Sequence, residues 1–237
     1  MADGKDRDHL KRAAAERAVA FVESGMVLGL GTGSTAAFVV EHLAARVARG
    51  LAVVAIPTSE HTAALARRLG IPLASFAEHR RIDLALDGAD EVERGSLDLI
   101  KGHGGALLRE KIVAAASARF IVVVDDGKLV GRLGEHLPVP VEVVQFGWQA
   151  TAAALRELGA EPELRLTKKG RPFVSDGGNF ILDCDFGTIA DAERTERLVK
   201  MTVGVVENGL FVGRSSVVVV ASTSGVDIMM PRGKERA

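Results

Sequence analysis

The sequence predicts an α/β fold: a Rossmann-like domain built on a mostly parallel sheet, with a smaller α+β, ferredoxin-like second domain. Three observations lead there. Short apolar runs alternate with stretches of helical apolar spacing through the first 134 residues. The runs are near-continuously apolar, as strands buried on both faces of a parallel sheet are. Beyond about residue 135 the order changes to β-α-β-β-α-β, the split pattern of a small ferredoxin-like unit. Residues 1–134 with 207–237 are therefore expected to form the first domain, and residues 135–206 the second.

Taken in order, residues 8–22 set Leu10, Ala14, Ala18, Phe21 and Val22 at helical spacing and stop before Ser24-Gly25. An apolar strand at 26–30 runs into the glycine loop Gly29-Leu-Gly-Thr-Gly-Ser-Thr35, and a helix follows at 36–47. A strand at 51–56 precedes a helix at 59–69, for which Thr58 and Ser59 are candidate caps. Strands at 82–86 and 120–124 flank a helix from about 105 to 118. In the second half, strands are expected at 139–144, 163–167, 179–183 and 204–206, with helices at 149–158 and 190–201. Two more, at 210–212 and 217–221, read as strands returning to the first domain, and the polar tail 231–237 is expected to fray.

Composition narrows the function. The 237 residues are 47% hydrophobic and 26% charged with a net charge of −1, which leaves no basic footprint for nucleic acid. Nine Phe, one Trp and no Tyr supply little for stacking on bases. The single cysteine, Cys184, excludes an intrachain disulfide and reads as a small inert strand residue. The first 18 residues are charged throughout, without the apolar core of a signal peptide, and the longest apolar runs are too short to span a bilayer. A cytoplasmic protein is the expectation.

Chemistry concentrates in residues 82–111, IDLALDGADEVERGSLDLIKGHGGALLREK. A buried strand ends in Asp87-Gly-Ala-Asp90, and Lys101, a glycine cluster and Glu110 follow. Acids at the carboxyl end of a strand in an open α/β sheet sit where such sheets bind ligands. The plainer reading is a turn at Asp87-Gly and a helix-start carboxylate at Glu110.

Gly31-Thr-Gly-Ser-Thr-Ala36 fits the GxGxxA form of the dinucleotide fingerprint. A strand–glycine loop–helix unit aims backbone N–H groups at an anion, and Thr32, Ser34 and Thr35 add hydroxyls. A dinucleotide site also needs an acid at the end of the second strand, where this chain reads Ile56-Pro-Thr-Ser59. The Walker lysine is missing as well. A phosphate monoester is thus preferred over NAD, with a structural turn as the remaining alternative. The six histidines show no HxH or HExxH spacing, one cysteine builds no zinc site, and no acyl-hydrolase elbow is evident.

Five segments in order, GLGTGSTAAF (29–38), LDGADEVE (86–93), IKGHGGALLREKIV (100–113), VVDDGKLVGRLG (123–134) and LPVPVEVV (137–144), together resemble ribose-5-phosphate isomerase of the A type. The resemblance spans about residues 10–225 and implies interconversion of ribose 5-phosphate and ribulose 5-phosphate, in the non-oxidative pentose phosphate pathway, without metal or organic cofactor. It implies substrate binding by Thr32, Gly33, Ser34 and Thr35, by Asp87, Gly88, Ala89 and Asp90, and by Lys101, Gly102, His103 and Gly104. Glu110 takes the place of the catalytic base, Lys128 that of a basic ligand-binding residue, and Lys11 that of a basic group close to the phosphate. A homodimer or homotetramer is the implied assembly. The family's KGGG reads Lys101-Gly-His103-Gly here, so a side chain replaces hydrogen in a tight loop. The expectation is that the imidazole points out of the loop and only its backbone serves the site.

These residue types suit the reaction. One carboxylate, Glu110, can serve both C2 and C1 through a cis-enediolate. Lys101 and the glycine-loop amides are placed to stabilise the developing oxyanions. Asp87 is assigned to ring opening, with Asp90 assisting or orienting Lys101, and the remote phosphate supplies binding energy. Two other readings remain at this point. One is an aminosugar-phosphate deaminase-like enzyme with His103 opening the ring; the other is a non-catalytic sugar-phosphate sensor.

Overall fold

The computed structural model describes residues 4–231, so the expected frayed tail lies, apart from Pro231, outside the described residues. In chain order the elements are α1 (Gly4–Val19), β1 (Val27–Leu30), α2 (Ser34–Val47), β2 (Val54–Pro57), α3 (Glu60–Arg68) and β3 (Ile82–Asp87). Then come β4 (Glu91–Glu93), β5 (Leu99–Ile100), α4 (Leu107–Ala116), β6 (Ser117–Asp125), a 3-10 turn (Asp126–Lys128) and β7 (Leu129–Val130). The remainder is β8 (Val139–Val143), α5 (Trp148–Glu157), β9 (Glu161–Leu164), β10 (Phe180–Asp185), α6 (Ala192–Lys200), β11 (Val205–Asn208), β12 (Leu210–Phe211), β13 (Val217–Ser222) and β14 (Gly225–Met229).

The chain divides into two compact units: Met1–Ala89, Arg109–Leu129 and Arg214–Ala237 in the first, and Asp90–Leu108 and Val130–Gly213 in the second. The first contains a six-stranded sheet of order β14-β13-β6-β3-β1-β2. Its strands pair in parallel except β14, which runs antiparallel along the edge beside β13. The strands were readable because their residues are apolar on both faces: Leu28, Leu30, Leu84, Leu86, Ile121, Val123 and Val219 are all fully buried. Each such side chain contributes about 1.5–3 kcal/mol on burial. Helix α1 lays Ala14, Ala15, Ala18 and Val19 into the same core, and these small residues permit a close approach. Pro57 is tolerated because β2 lies at the sheet edge.

The second unit contains two sheets. One has the order β11-β8-β10-β9 with every pairing antiparallel, and α5 and α6 complete the β-α-β-β-α-β unit expected of residues 135–206. Its core includes Val139, Val141, Val143, Leu155, Leu182, Cys184 and Val199. The other sheet, of order β12-β5-β4-β7, is a small construction that periodicity does not reveal. It explains why residues 90–108 group with the second unit rather than with residues 1–89. It also corrects the expectation that residues 210–212 return to the first sheet. Leu210 and Phe211 pair with Ile100 and Leu99, and only β13 and β14 rejoin the six-stranded sheet.

Candidate active site

In the first unit, β1 is flanked by β2 on one side and β3 on the other, so the strand order reverses between β1 and β3. Open α/β sheets bind ligands outside the carboxyl ends of strands at such a point. Strand β1 ends there in the glycine loop and β3 ends there in Asp87. Helix α2 begins at Ser34, two residues earlier than its apolar pattern suggests, and Gly33 is its N-cap at φ 111°, with no side chain capping the helix. That backbone is strained for any residue with a Cβ. The first amides of a helix have no intrahelical acceptor, and with the dipole they form an anion seat. Lys11 brings a cation to it, its Nζ donating to Ser34 Oγ at 3.1 Å.

Asp87 is 3% exposed. Its Oδ1 accepts the amides of Thr32 at 3.1 Å and Gly88 at 2.7 Å. Gly31 makes this possible, since a Cβ there would lie 1.9 Å from Asp87 Oδ1. Gly88 and Ala89 carry the chain onward, with Gly88 close against Thr35. The Thr32 hydroxyl is hydrogen-bonded within the protein. It lies 2.7 Å from Thr58 Oγ1 and donates to Ser59 Oγ at 2.8 Å, while Thr62 Oγ1 donates to the Gly31 carbonyl. Ser59 also caps α3 by accepting from Thr62 N, as expected. This hydroxyl cluster was missed as a site component; its signal was the Thr58-Ser59 pair, read only as caps.

Glu110 lies in the first turn of α4 and is 4% exposed. The helix N-terminus favours an anionic side chain there, and burial strips its carboxylate of water. Arg109 beside it pairs with Glu60 of α3 at 2.9 Å. Lys128 ends the 3-10 turn beyond β6, a turn capped by Asp125.

In the second unit, Lys101 follows β5, is 2% exposed, and holds its ammonium 5.6 Å from the centroid of the Phe211 ring. Asp90 Oδ2 accepts the His103 amide at 3.0 Å, which ties this carboxylate to the loop after Lys101. His103 has an ordinary negative φ, so its side chain strains nothing, and its Nε2 lies 3.0 Å from the Pro138 carbonyl oxygen. Glu91, 1% exposed, accepts the amides of Gly134, His136 and Leu137, a structural use of the last acid in the DGADE motif. Arg165 donates to the carbonyls of Gly102 and His103; nothing local in the sequence marks it.

The first unit thus holds Lys11, Thr32, Gly33, Ser34, Thr35, Asp87, Gly88, Ala89, Glu110 and Lys128, and the second Asp90, Lys101, Gly102, His103 and Gly104. Among the described residues no group of three or more His, Cys, Asp or Glu side chains is arranged to hold a metal ion.

Comparison with known proteins bears on the same segments. A family model described as ribose 5-phosphate isomerase A (phosphoriboisomerase A) matches residues 54–225. Ribose-5-phosphate isomerase A of Gloeobacter violaceus is 59% identical over 226 residues, covering 95% of this chain and 98% of that one. The Gluconobacter oxydans protein of the same name is 54% identical over 229 residues, covering 96% and 99%. Among solved structures, ribose 5-phosphate isomerase A from Methanocaldococcus jannaschii superposes with a TM-score of 0.91 at 43% identity, covering 94% of this chain and 99% of that one. A D-ribose-5-phosphate isomerase in complex with phospho-erythronic acid gives 0.92 at 40% identity, again covering 94% and 99%. With the family model matching residues 54–225, through the DGAD turn and the Glu110 helix, and the relatives matching almost end to end, the chain belongs to the ribose 5-phosphate isomerase A family.

Proposed function

We infer that the protein interconverts D-ribose 5-phosphate and D-ribulose 5-phosphate through a cis-enediolate. The observation that carries this reading lies within one unit: an amide-lined helix start with Lys11 and Ser34 beside it, next to a buried carboxylate at the sheet's reversal point. The phosphate takes the seat at α2, gripped by amides, Ser34 and Lys11, and Lys128 adds a further cation. Asp87, oriented by two amides, accepts the anomeric hydroxyl proton as the C1–O4 bond of the furanose breaks and a carbonyl forms at C1, and that proton ends on O4, which restores the Asp87 carboxylate. Glu110 then removes the C2 proton. The C–H electrons form the C1–C2 double bond and the C1 carbonyl electrons move onto O1. Returning the proton from Glu110 to C1, with the O2 hydroxyl proton ending on O1, completes the ketose. Lys101 and the Gly104 amide of the loop that follows it stabilise the oxygens while they carry charge.

The deaminase-like alternative loses its support, because the His103 ring is engaged with the Pro138 carbonyl. We place the reaction in the cytoplasm, where charge confines sugar phosphates. Self-association as a dimer or tetramer is supported by Phe146, Met201 and Val203, exposed at 94%, 78% and 90%, and light scattering tests it.

A direct assay with ribose 5-phosphate tests the activity, and Glu110→Gln tests the base. The variant should lose about 10²–10⁴-fold in kcat. In D2O the wild type should place deuterium at C1 of ribulose 5-phosphate, from solvent exchange at the Glu110 proton. Inactive wild-type protein overturns the reading, and a Gln variant with near-normal turnover removes Glu110 from it.

A further inference from the structure

The glycine loop after Lys101 is held from outside by residues that no motif marks. In a trans peptide the carbonyl and N–H point in opposite directions. The 102–103 peptide is gripped at both poles: Gly102 O accepts from Arg165 Nη1 at 2.9 Å, and His103 N–H donates to Asp90 Oδ2. The next peptide is gripped at one pole only. His103 O accepts from the same Arg165 nitrogen at 3.1 Å, so the Gly104 N–H faces away from the guanidinium. That N–H has no acceptor among the described residues.

Arg165 is itself fixed. It sits one residue beyond β9, and its amide donates to Ile181 O, continuing the ladder with β10. Asp183 of β10 takes its Nε at 2.9 Å and its Nη2 through the other oxygen, a two-point fork. Phe173, whose amide donates to Arg165 O, lays its ring where a Cβ on Gly105 would stand. The arginine side chain is 12% exposed.

We propose that Arg165, anchored by Asp183, is a positioning residue for the isomerisation: it turns the Gly102 and His103 carbonyls away and leaves the Gly104 amide as the loop's donor to the charged enediolate oxygens. This rests on the isomerase reading above. A charge-assisted bond to each carbonyl also polarises the amides and strengthens them as donors. Because the oxygens gain charge only as the reaction proceeds, a misaimed amide costs turnover more than substrate affinity.

The test compares wild type, Arg165→Met, Arg165→Lys and Asp183→Asn in kcat, KM and affinity for phospho-erythronic acid, whose planar carboxylate carries negative charge on oxygen as the enediolate does. Arg165→Met should lower kcat roughly a hundredfold and weaken the acid by a similar factor, with KM within about threefold. Arg165→Lys, which keeps the charge without the fork, and Asp183→Asn, which keeps the arginine, should fall between. If Arg165→Met does not fold, the two milder variants carry the same comparison. Folded variants with kcat within threefold of wild type overturn the proposal. So does a loss of kcat with the acid bound as before, which marks a merely structural role. Wild type inactive on ribose 5-phosphate overturns the isomerase reading and this proposal together, whereas active wild type with unimpaired variants overturns this proposal alone.

Discussion

Gly31→Ala removes no chemical group, yet it should disable the protein. The added Cβ would stand 1.9 Å from Asp87 Oδ1 and 2.0 Å from its Cγ. To reach even 3.0 Å, the shortest separation real Cβ atoms show, the carboxylate must retreat by about 1.1 Å. Retreat breaks its bonds to the Thr32 and Gly88 amides, each about 1.5–3 kcal/mol as a hydrogen bond to a charged group. Part of that returns through relaxation, which puts the expected destabilisation at about 3–5 kcal/mol. At roughly 2–4 °C per kcal/mol for a chain of this size, the melting temperature should drop by about 6–20 °C. A displacement of about 1 Å at a reacting group costs about a hundredfold in rate, so kcat/KM should fall at least that far below the melting transition. Gly33→Ala is the control. Nothing lies within 4 Å of its would-be Cβ, but its φ of 111° makes the backbone pay about 1–3 kcal/mol without touching Asp87. Thermal melts and steady-state kinetics on both variants separate the two effects. A Gly31→Ala protein with wild-type melting and wild-type kcat/KM would refute the steric argument and the assignment of Asp87 with it.

Lys128→Ala should raise KM with little change in kcat, because its assigned partner is the remote phosphate; a large fall in kcat at constant KM would place it at the reacting carbons. His103→Gly should keep kcat/KM within about tenfold and lower stability by about 1–2 kcal/mol, the sum of one lost hydrogen bond to Pro138 O and the added freedom of glycine. A thousandfold loss together with a pH limb missing from the variant's rate profile would instead make the imidazole an acid or base. Burial first, and the nearby Asp183 charge second, push the Cys184 thiol up to about 12. The folded chain should therefore resist thiol reagents at pH 8 and react only on denaturation. Since the folded value is the raised one, stability is whole below the ordinary thiol range and declines as pH climbs from there toward 12. Rapid stoichiometric labelling of the native protein contradicts this.

The parallel strands were legible because they are largely apolar on both faces and four to nine residues long, whereas the antiparallel edge strand β14, exposed along most of its length, was not read. Strands β4, β5 and β12 are two or three residues long, too short to show a period, and so their sheet went unread. Asp87, Lys101 and Glu110 stood out in the sequence because acid/base residues fall close together there, at one strand end and one helix start. Arg165 did not: it lies 62 residues from His103 in sequence, and only the β9–β10 pairing brings it to the loop. Thr32 was read as a hydroxyl donor of the glycine loop, because a sequence does not show that its hydroxyl already meets Thr58 and Ser59.

That hydroxyl belongs to a chain whose direction is forced. Gly31 O can only accept, so Thr62 gives it its single proton; Ser59 donates to Thr62 and Thr32 donates to Ser59. Thr58 is then the member that donates to Thr32. The relay ties the curvature of the glycine loop to the seating of α3. Substitutions under α3 that shift Thr62 by a fraction of an ångström, some thirty residues from the loop and touching no ligand, should tune phosphate affinity. Position 32 should accept serine, which preserves the relay, while valine, of the same shape, should leave Thr58 and Ser59 each missing a partner.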